Sequence, residues 1–512
     1  MNIAGAAFVL MLGNLASRLL GLAREQVIAG LFGASAITDA FTAASRVPLT
    51  LYDLLIGGII SAALVPVFAE SALEDGVSFR RLVSSALNLA LLAAAALLVP
   101  IIWLAPWWMG AFVPGFDEPT RALAVRLVQW MLPALLFMVG AGVLAGASYA
   151  QQRFLRPAAA LASYNAGIIL GALALHRLLG VGALVVGVLL GAVGQFVILA
   201  QGLGSGYALD LNLRLEPMRR IGLLALPVFA GLVISTIGVA IDTYLASGTG
   251  EGSLAALRFA TTLVQLPLGL VASAVGLAVL PALSRSAALG GALGVGDDYR
   301  RTLALGIRLV LLLVLPATAF LVALRDPVVR LLFQHGAFTA GDTLRTANAF
   351  LAYAPGLPAA ALDQLFIYAF YARKNTLTPV LVGVAAVGVY LVVALLLLPR
   401  WGYLALAAAN SAQWVGHAVV LGLLLWRAVG ALPGLGRVAL VGVAASLVLG
   451  LGLAVGSGVS GLTDAEGTLP LAVGLAVAAG LSLAGYVALL AALRVPELGM
   501  VAGAFRRRVR GA

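Results

Sequence analysis

Residues 82–100 read LVSSALNLALLAAAALLVP and residues 380–398 read VLVGVAAVGVYLVVALLLL, with no Asp, Glu, Lys or Arg in either stretch. A helix of roughly 20 apolar residues crosses the hydrocarbon core of a bilayer, so both stretches predict membrane-spanning helices. Working outward, the breaks between such blocks divide the 512 residues into about fourteen spans. They fall near 3–31, 37–69, 82–109, 121–150, 155–175, 181–203, 221–247, 253–284, 302–324, 340–372, 377–398, 402–427, 435–458 and 468–493. The composition agrees: 62% of residues are hydrophobic and 10% charged, against roughly 25% charged in a soluble domain. A soluble enzyme is excluded. The expected class is an all-α membrane protein. Its first helix lacks the basic start of a signal peptide and reads as uncleaved.

The chain has no Cys, which removes disulfides, thiolate chemistry and Cys-ligated metals. His176, His335 and His417 are scattered and read as structural. Lys374 is the chain's lone lysine, and no phosphate-binding Gly-x-x-x-x-Gly-Lys loop occurs, so ATP hydrolysis is not expected. The acidic pairs Glu74-Asp75, Asp117-Glu118 and Asp297-Asp298 lie in connections and read as helix caps. No metal or organic cofactor is expected.

Arginine sets the topology. With the N-terminus cytoplasmic, the inner connections and tail hold Arg80, Arg81, Arg153, Arg156, Arg214, Arg219, Arg220, Arg285, Arg300, Arg301, Arg373, Lys374, Arg427, Arg437, Arg494, Arg506, Arg507, Arg508 and Arg510. The outer connections hold only Arg121, Arg177, Arg325, Arg330, Arg345 and Arg400. Both termini are therefore expected inside, with the 506–510 cluster at the lipid headgroups. This distribution explains much of the +11 charge without nucleic acid.

The chain also reads as duplicated. Phe79-Arg80-Arg81 recurs as Tyr299-Arg300-Arg301, and Tyr149-Ala150 with Pro157 recurs as Tyr371-Ala372 with Pro379. Pro66 with Ser71-Ala72 recurs as Pro281 with Ser286-Ala287, and Gly110-Ala111-Phe112 as Gly336-Ala337-Phe338. A six-span repeat puts the two halves in parallel orientation, as in transporters whose site lies between lobes. The expected lobes are residues 1–215 and 216–430, followed by residues 431–512 with two further helices and a basic tail.

Charges inside spans are costly and mark function or pairing. Arg18, Arg24, Arg46, Arg126, Arg258 and Arg308 fall within spans. Arg18 and Glu25 are two helical turns apart and share a face, with Arg24 beside Glu25. Asp39, Arg46 and Asp53 follow the same seven-residue spacing on the second span. This stripe reads either as a binding wall or as an ion-pair ladder. Arg126 and Arg308 lie near helix ends and read as snorkelling side chains. Asp242, deep in the seventh span, either carries a proton or cation or pairs with Arg258. Asp363 is a weaker candidate of the same kind. Guanidinium groups match phosphate oxygens in pairs, so the arginines point to a phosphate-bearing substrate.

The stretches Ser17-Arg18-Leu19-Leu20-Gly21-Leu22-Ala23-Arg24-Glu25, Phe32-Gly33-Ala34 and Thr38-Asp39-Ala40-Phe41 resemble the MurJ (MviN) lipid II flippases of the MOP exporter superfamily. Val65-Pro66-Val67-Phe68, Pro114-Gly115-Phe116, Leu266-Pro267-Leu268-Gly269, Leu280-Pro281-Ala282-Leu283-Ser284 and Gly336-Ala337-Phe338-Thr339 extend the resemblance over roughly 10–420. It implies a fourteen-helix flippase that moves lipid II, a polyprenyl-diphosphate-linked peptidoglycan precursor, to the outer leaflet of the bacterial inner membrane. By residue it carries Arg18, Arg24, Glu25, Asp39 and Arg46 to the substrate head. Three places depart from the family. The acid-containing Arg-rich stretch of the second span reads Tyr52-Asp53-Leu54-Leu55-Ile56-Gly57-Gly58. The eighth-span Arg is replaced by Thr262, with Arg258 one turn earlier and expected to supply the charge. Asp242 fits one half of the sodium site of some relatives, but residues 380–398 offer no Asn or Asp for the other.

The expected function is lipid II flipping by alternating access. Arg18, Arg24, Glu25, Asp39, Arg46 and Arg258 are the expected substrate-binding residues, and Asp242 is the coupling candidate. The expected driver is membrane potential or a monovalent cation. The expected partners are the lipid-linked diphosphate glycan, membrane lipids and cell-wall synthesis proteins. Open alternatives are an exporter of another lipid-linked polysaccharide, a cation-coupled multidrug exporter, and a non-transporting scaffold.

Overall fold

The computed structural model describes residues 3–74, 76–202, 207, 216–289, 296–459 and 467–499. Arg214 and the 506–510 cluster lie outside the described residues. Among the described residues the chain is helical throughout, with no strand. Among the described residues nine helices are long and apolar enough to cross a membrane, or up to eleven when each of two bent pairs is taken as one span. The first, seventh and eighth expected spans are also helices: α1 (Ile3–Phe32), α10 (Glu216–Ser247) and α11 (Ser253–Leu289). Parts of their side chains lie outside the described residues, so the count of fourteen stays an expectation.

The second span runs from α2 (Ala36–Tyr52) through two π-helical turns, Asp53–Gly57 and Ile60–Leu64, into α3 (Val65–Glu74). Such turns insert a residue into the helical ladder and rotate the face that follows. Two of the three acidic pairs sit at helix starts, without side-chain capping hydrogen bonds, and Asp75 of the third lies outside the described residues. Asp117 is the N-cap of α6 (Glu118–Met131), and Asp297 and Asp298 fill the first turn of α12 (Asp297–Ala323).

The duplicated sequence has duplicated local geometry. Helix α6 meets α7 (Ala134–Ala150) at a 44° bend, and α14 (Ala340–Tyr353) meets α15 (Gly356–Ala372) at a 47° bend. After each bent pair, one non-glycine residue takes positive φ: Gln152 at 56° and Lys374 at 58°. The next helices, α8 (Leu155–Leu179) and α16 (Leu377–Trp401), end on Gly180 and Gly402, with φ, ψ of 55°, −131° and 52°, −134°. Recurrence of these uncommon conformations argues for one ancestral unit used twice.

Spatially, the chain forms two compact units. The first is Met1–Ala255 with His335–Thr339, and the second is Ala256–Gln334 with Ala340–Ala512. The first unit therefore takes in α10 and a five-residue turn that the repeat assigns to the second half. In the second unit, α12 packs with α18 (Leu435–Val459) and α19 (Thr468–Ala492). An apolar cavity of about 890 Å³ lies there, lined by residues including Leu449, Leu453, Val477, Leu481 and Tyr486.

Arg308 corrects the snorkelling expectation. Its Nη1 lies 2.8 Å from Glu497 Oε1, and the Glu497 side chain is only 2% exposed. Arg308 is thus held by a buried carboxylate and not by the headgroups alone.

Candidate functional site

Helix α1 passes close along α8, and their contact builds the surroundings of Arg24. Arg24 Nε donates to Glu25 Oε1 at 3.0 Å, and Nη1 donates to Asn165 Oδ1 on α8 at 2.9 Å. Asn165 Nδ2 in turn donates to the Ser17 carbonyl at 3.1 Å. Glu25 is 1% exposed whereas the Arg24 side chain keeps 20%. The guanidinium is thus fixed in plane by Glu25, through Nε and Nη2, and by Asn165, through Nη1, and stays partly exposed. This suits a planar fork that reads an oxyanion, because preorganisation spares the cost of ordering the side chain at binding. Arg18, two turns before Glu25, is exposed.

The charged stripe on α2 does not close into a ladder. Arg46 goes to α10: its Nη1 lies 3.0 Å from Asp242 Oδ2 and donates to Thr243 Oγ1 at 2.5 Å. Arg46 and Asp242 are each 25% exposed, so the pair remains open to an incoming group. Asp53 is exposed.

Asp39 is 2% exposed. Its Oδ2 accepts the Gly252 N–H at 2.6 Å and its Oδ1 accepts the Ala255 N–H at 2.8 Å. A carboxylate on one helix thereby caps the start of another, α11, and meets its positive dipole end. Gly252 has φ of 77°, which turns its amide toward Asp39 at no steric cost. Glu251 completes the exchange by accepting the Ala36 N–H, at the start of α2, at 3.2 Å.

Two further contacts of the first unit involve connections between helices. Ala337 N–H donates to the Gly30 carbonyl at 2.8 Å. Gly336, at φ of 60°, lies so close that a Cβ would meet Gly30 O at 2.1 Å. Gly115 N–H donates to Ser247 Oγ at 3.2 Å. These hydrogen bonds tie together the connections after the first, third, seventh and ninth expected spans.

Arg258 lies half-buried on α11 in the second unit, one turn before Thr262, whose Oγ1 donates to the Arg258 carbonyl at 3.0 Å. Of the expected site, the structure joins Arg24 with Glu25 and Arg46 with Asp242. It directs both oxygens of Asp39 to backbone. Asn165, Thr243 and Glu251 were missed from sequence. Asn165 carried a signal, being an amide inside an apolar span. Glu251 sits in Gly250-Glu251-Gly252-Ser253, a helix-start pattern.

Residues 28–492 match the family described as lipid II flippase MurJ. The chain is 32% identical over 432 residues to "Probable lipid II flippase MurJ" of Rhizobium meliloti (strain 1021), covering 81% of this chain and 79% of that one. It is 30% identical over 405 residues to "Lipid II flippase MurJ" of Burkholderia cenocepacia, covering 77% of each. Among solved structures, a lipid II flippase MurJ in an inward closed conformation superposes with a TM-score of 0.79 at 23% identity, over 95% of this chain and 99% of that one. An inward-facing multidrug resistance MATE transporter of the MOP superfamily gives 0.67 at 14% identity, over 85% and 98%. At these identities the two structures speak for the fold alone.

Proposed function

The chain belongs to the lipid II flippase MurJ family, and on that premise we propose how its own residues move a polyprenyl-diphosphate-linked glycan across the membrane. It is a transporter of lipid II, a multi-span helical protein whose substrate and surroundings are lipids. The observation that carries the site assignment is the guanidinium of Arg24, braced by Glu25 and Asn165 and partly open. It receives the diphosphate. Arg18, exposed on the same helix, adds charge.

Arg46 has a second role. A diphosphate competes with Asp242 for its guanidinium, so substrate binding frees Asp242. The coupling candidate is thereby linked to substrate occupancy, with Arg46 as its resident counter-cation. A cation-coupled drug exporter, the reading favoured by the MATE-like fold, would leave Asp242 to its cation. Here Arg46 already supplies that charge.

Asp39 and Glu251 act on conformation and not on the head-group. Their caps, with the Gly30–Ala337 and Gly115–Ser247 contacts, close the side opposite the N-terminus. The caps break when the head leaves on that side, which is the alternating-access step. The isoprenoid tail stays apolar throughout, and the cavity between α18 and α19 offers a lining of matching chemistry. Orientation with both termini cytoplasmic in the bacterial inner membrane follows from the arginine distribution. Membrane potential drives the cycle at about 2.3 kcal/mol per charge per 100 mV. The exported precursor is consumed by cell-wall synthesis proteins, the protein partners of this reading.

The test is binding of undecaprenyl diphosphate to the purified chain. Arg24→Ala should weaken it at least tenfold, while Arg126→Ala leaves it unchanged. Equal affinities for wild type and Arg24→Ala would remove the diphosphate role.

A further inference from the structure

Two ionisable residues of the second unit lie outside the head-group site. Asp363 is near the middle of α15, and His417 near the middle of α17 (Tyr403–Val429). Their side chains are 14% and 12% exposed, and His417 Nδ1 lies 2.8 Å from Asp363 Oδ1. The other ring nitrogen, Nε2, lies 3.2 Å from the carbonyl oxygen of Pro379, in the first turn of α16. One imidazole therefore touches both neighbouring helices.

The hydrogen count follows from the partners. A carbonyl oxygen only accepts, so Nε2 carries a hydrogen. A ring nitrogen and a carboxyl oxygen at 2.8 Å need one hydrogen between them. The pair thus holds two protons and is neutral overall, as imidazolium with carboxylate or imidazole with carboxylic acid. Release of one proton to water leaves a charge of −1. Either the Nδ1–Oδ1 contact or the Nε2–carbonyl contact then sets two lone pairs face to face. Inside a span neither outcome is stable in place, because an unpaired charge and an unmet acceptor are both costly there. Deprotonation and loosening of α17 from α15 or α16 are one event.

Helix α15 presents Asp363, with Tyr368 and Tyr371 nearer its end. Helix α16 presents backbone at Pro379 and Gly383, with Tyr390 two turns further and Arg400 in its last turn. Helix α14 offers Tyr353, whose ring lies 6.2 Å from Trp414, one turn before His417. Moreover, α15 is one arm of the 47° bent pair, an element already broken in the middle of its span.

We propose that Asp363 and His417 form a transferable-proton site of the second unit, tying α15, α16 and α17 together when filled and releasing them when emptied. The ligand is a proton, and the site gives the transporter an ion of its own apart from Arg24 and Asp242.

With His176, His335 and His417 as the chain's three histidines, selective ¹⁵N-histidine labelling of the full-length protein in nanodiscs reads the site directly, and His417→Gln assigns it. The expected wild-type spectrum at about pH 8 shows His417 with hydrogen shared at Nδ1, when a free imidazole would be singly protonated. Asp363→Asn should shift His417 to a single protonated nitrogen while the His176 and His335 signals stay put, reporting an intact fold. A wild-type His417 with a bare Nδ1, or a spectrum indifferent to Asp363→Asn, would overturn the proposal. In proteoliposomes carrying fluorescent lipid II, an imposed pH gradient should speed transport by the wild type, and His417→Gln should lose that response. A retained response would overturn the coupling. This second readout rests on the transport reading, whereas the spectra do not: Arg24→Ala should abolish transport and leave the His417 signals unchanged.

Discussion

Asp39 and Glu251 cap each other's helices. Asp39 on α2 takes the amides of Gly252 and Ala255 at the start of α11, and Glu251 takes the amide of Ala36 at the start of α2. Positions 36 and 251 are also separated by the offset that relates Pro66 to Pro281, so the exchange joins equivalent helix starts of the two repeats. Hydrogen bonds to a charged group are each worth about 1.5–3 kcal/mol. A reciprocal cap of this kind ties the two helix starts firmly, yet at a cost that binding energy can match.

Asp39→Asn keeps the size and loses the charge, and its amide nitrogen faces an amide it cannot accept. The expected loss is about 1.5–3 kcal/mol of closure. The wild-type chain contains no cysteine, so a cysteine pair introduced at Ser35 and Ser253 reports closure by its cross-linking rate. The rate should fall with Asp39→Asn and stay constant with Arg126→Ala.

Asn165→Ala should behave as a mild version of Arg24→Ala. Removing one hydrogen bond to the guanidinium costs about 1.5–3 kcal/mol of positioning, or roughly ten- to a hundredfold in head-group affinity. Asn165→Asp should also weaken binding, because the added carboxylate competes with the diphosphate. Titration with undecaprenyl diphosphate measures both.

Arg46 and Asp242 should show coupling in a double-mutant cycle. Each is 25% exposed, so the stability coupling is expected near 1 kcal/mol. Thermal unfolding should drop with Arg46→Ala and recover in part with Arg46→Ala/Asp242→Ala. Transport should not recover if Arg46 also serves the substrate, as proposed.

Arg308→Ala strands Glu497 in a buried position. The expected cost is about 3–5 kcal/mol, seen as poor yield and a lower melting temperature. Adding Glu497→Gln should restore much of both. A silent Arg308→Ala would return this arginine to the headgroups.

The legible part of this protein was whatever the bilayer dictates. A span must be apolar for about 20 residues, so its presence is written locally, and residues 121–150 and 340–372 were read as spans without their bends. Pro133 and Pro355, at those bends, were the available signal. Arg24 with Glu25 was also legible, because adjacent opposite charges inside a span explain each other. Partners brought in by tertiary structure were not. Asn165 reaches Arg24 from 141 positions away, and Glu251 reaches Ala36 from 215. The Arg308 expectation failed for the same reason. Snorkelling presumes that no counter-charge is near, and Glu497 lies beyond the last span, in a stretch read as tail.

The central claim is that this chain moves lipid II and does so through Arg24. The most direct measurement is rescue of a bacterium depleted of its own lipid II flippase, scored by growth and by lipid II exposed on the outer leaflet, with membrane levels of each variant matched. The wild-type chain should restore both, and Arg24→Ala should restore neither. Wild-type protein present at full level with no lipid II reaching the outer leaflet would contradict the account, as would full rescue by Arg24→Ala.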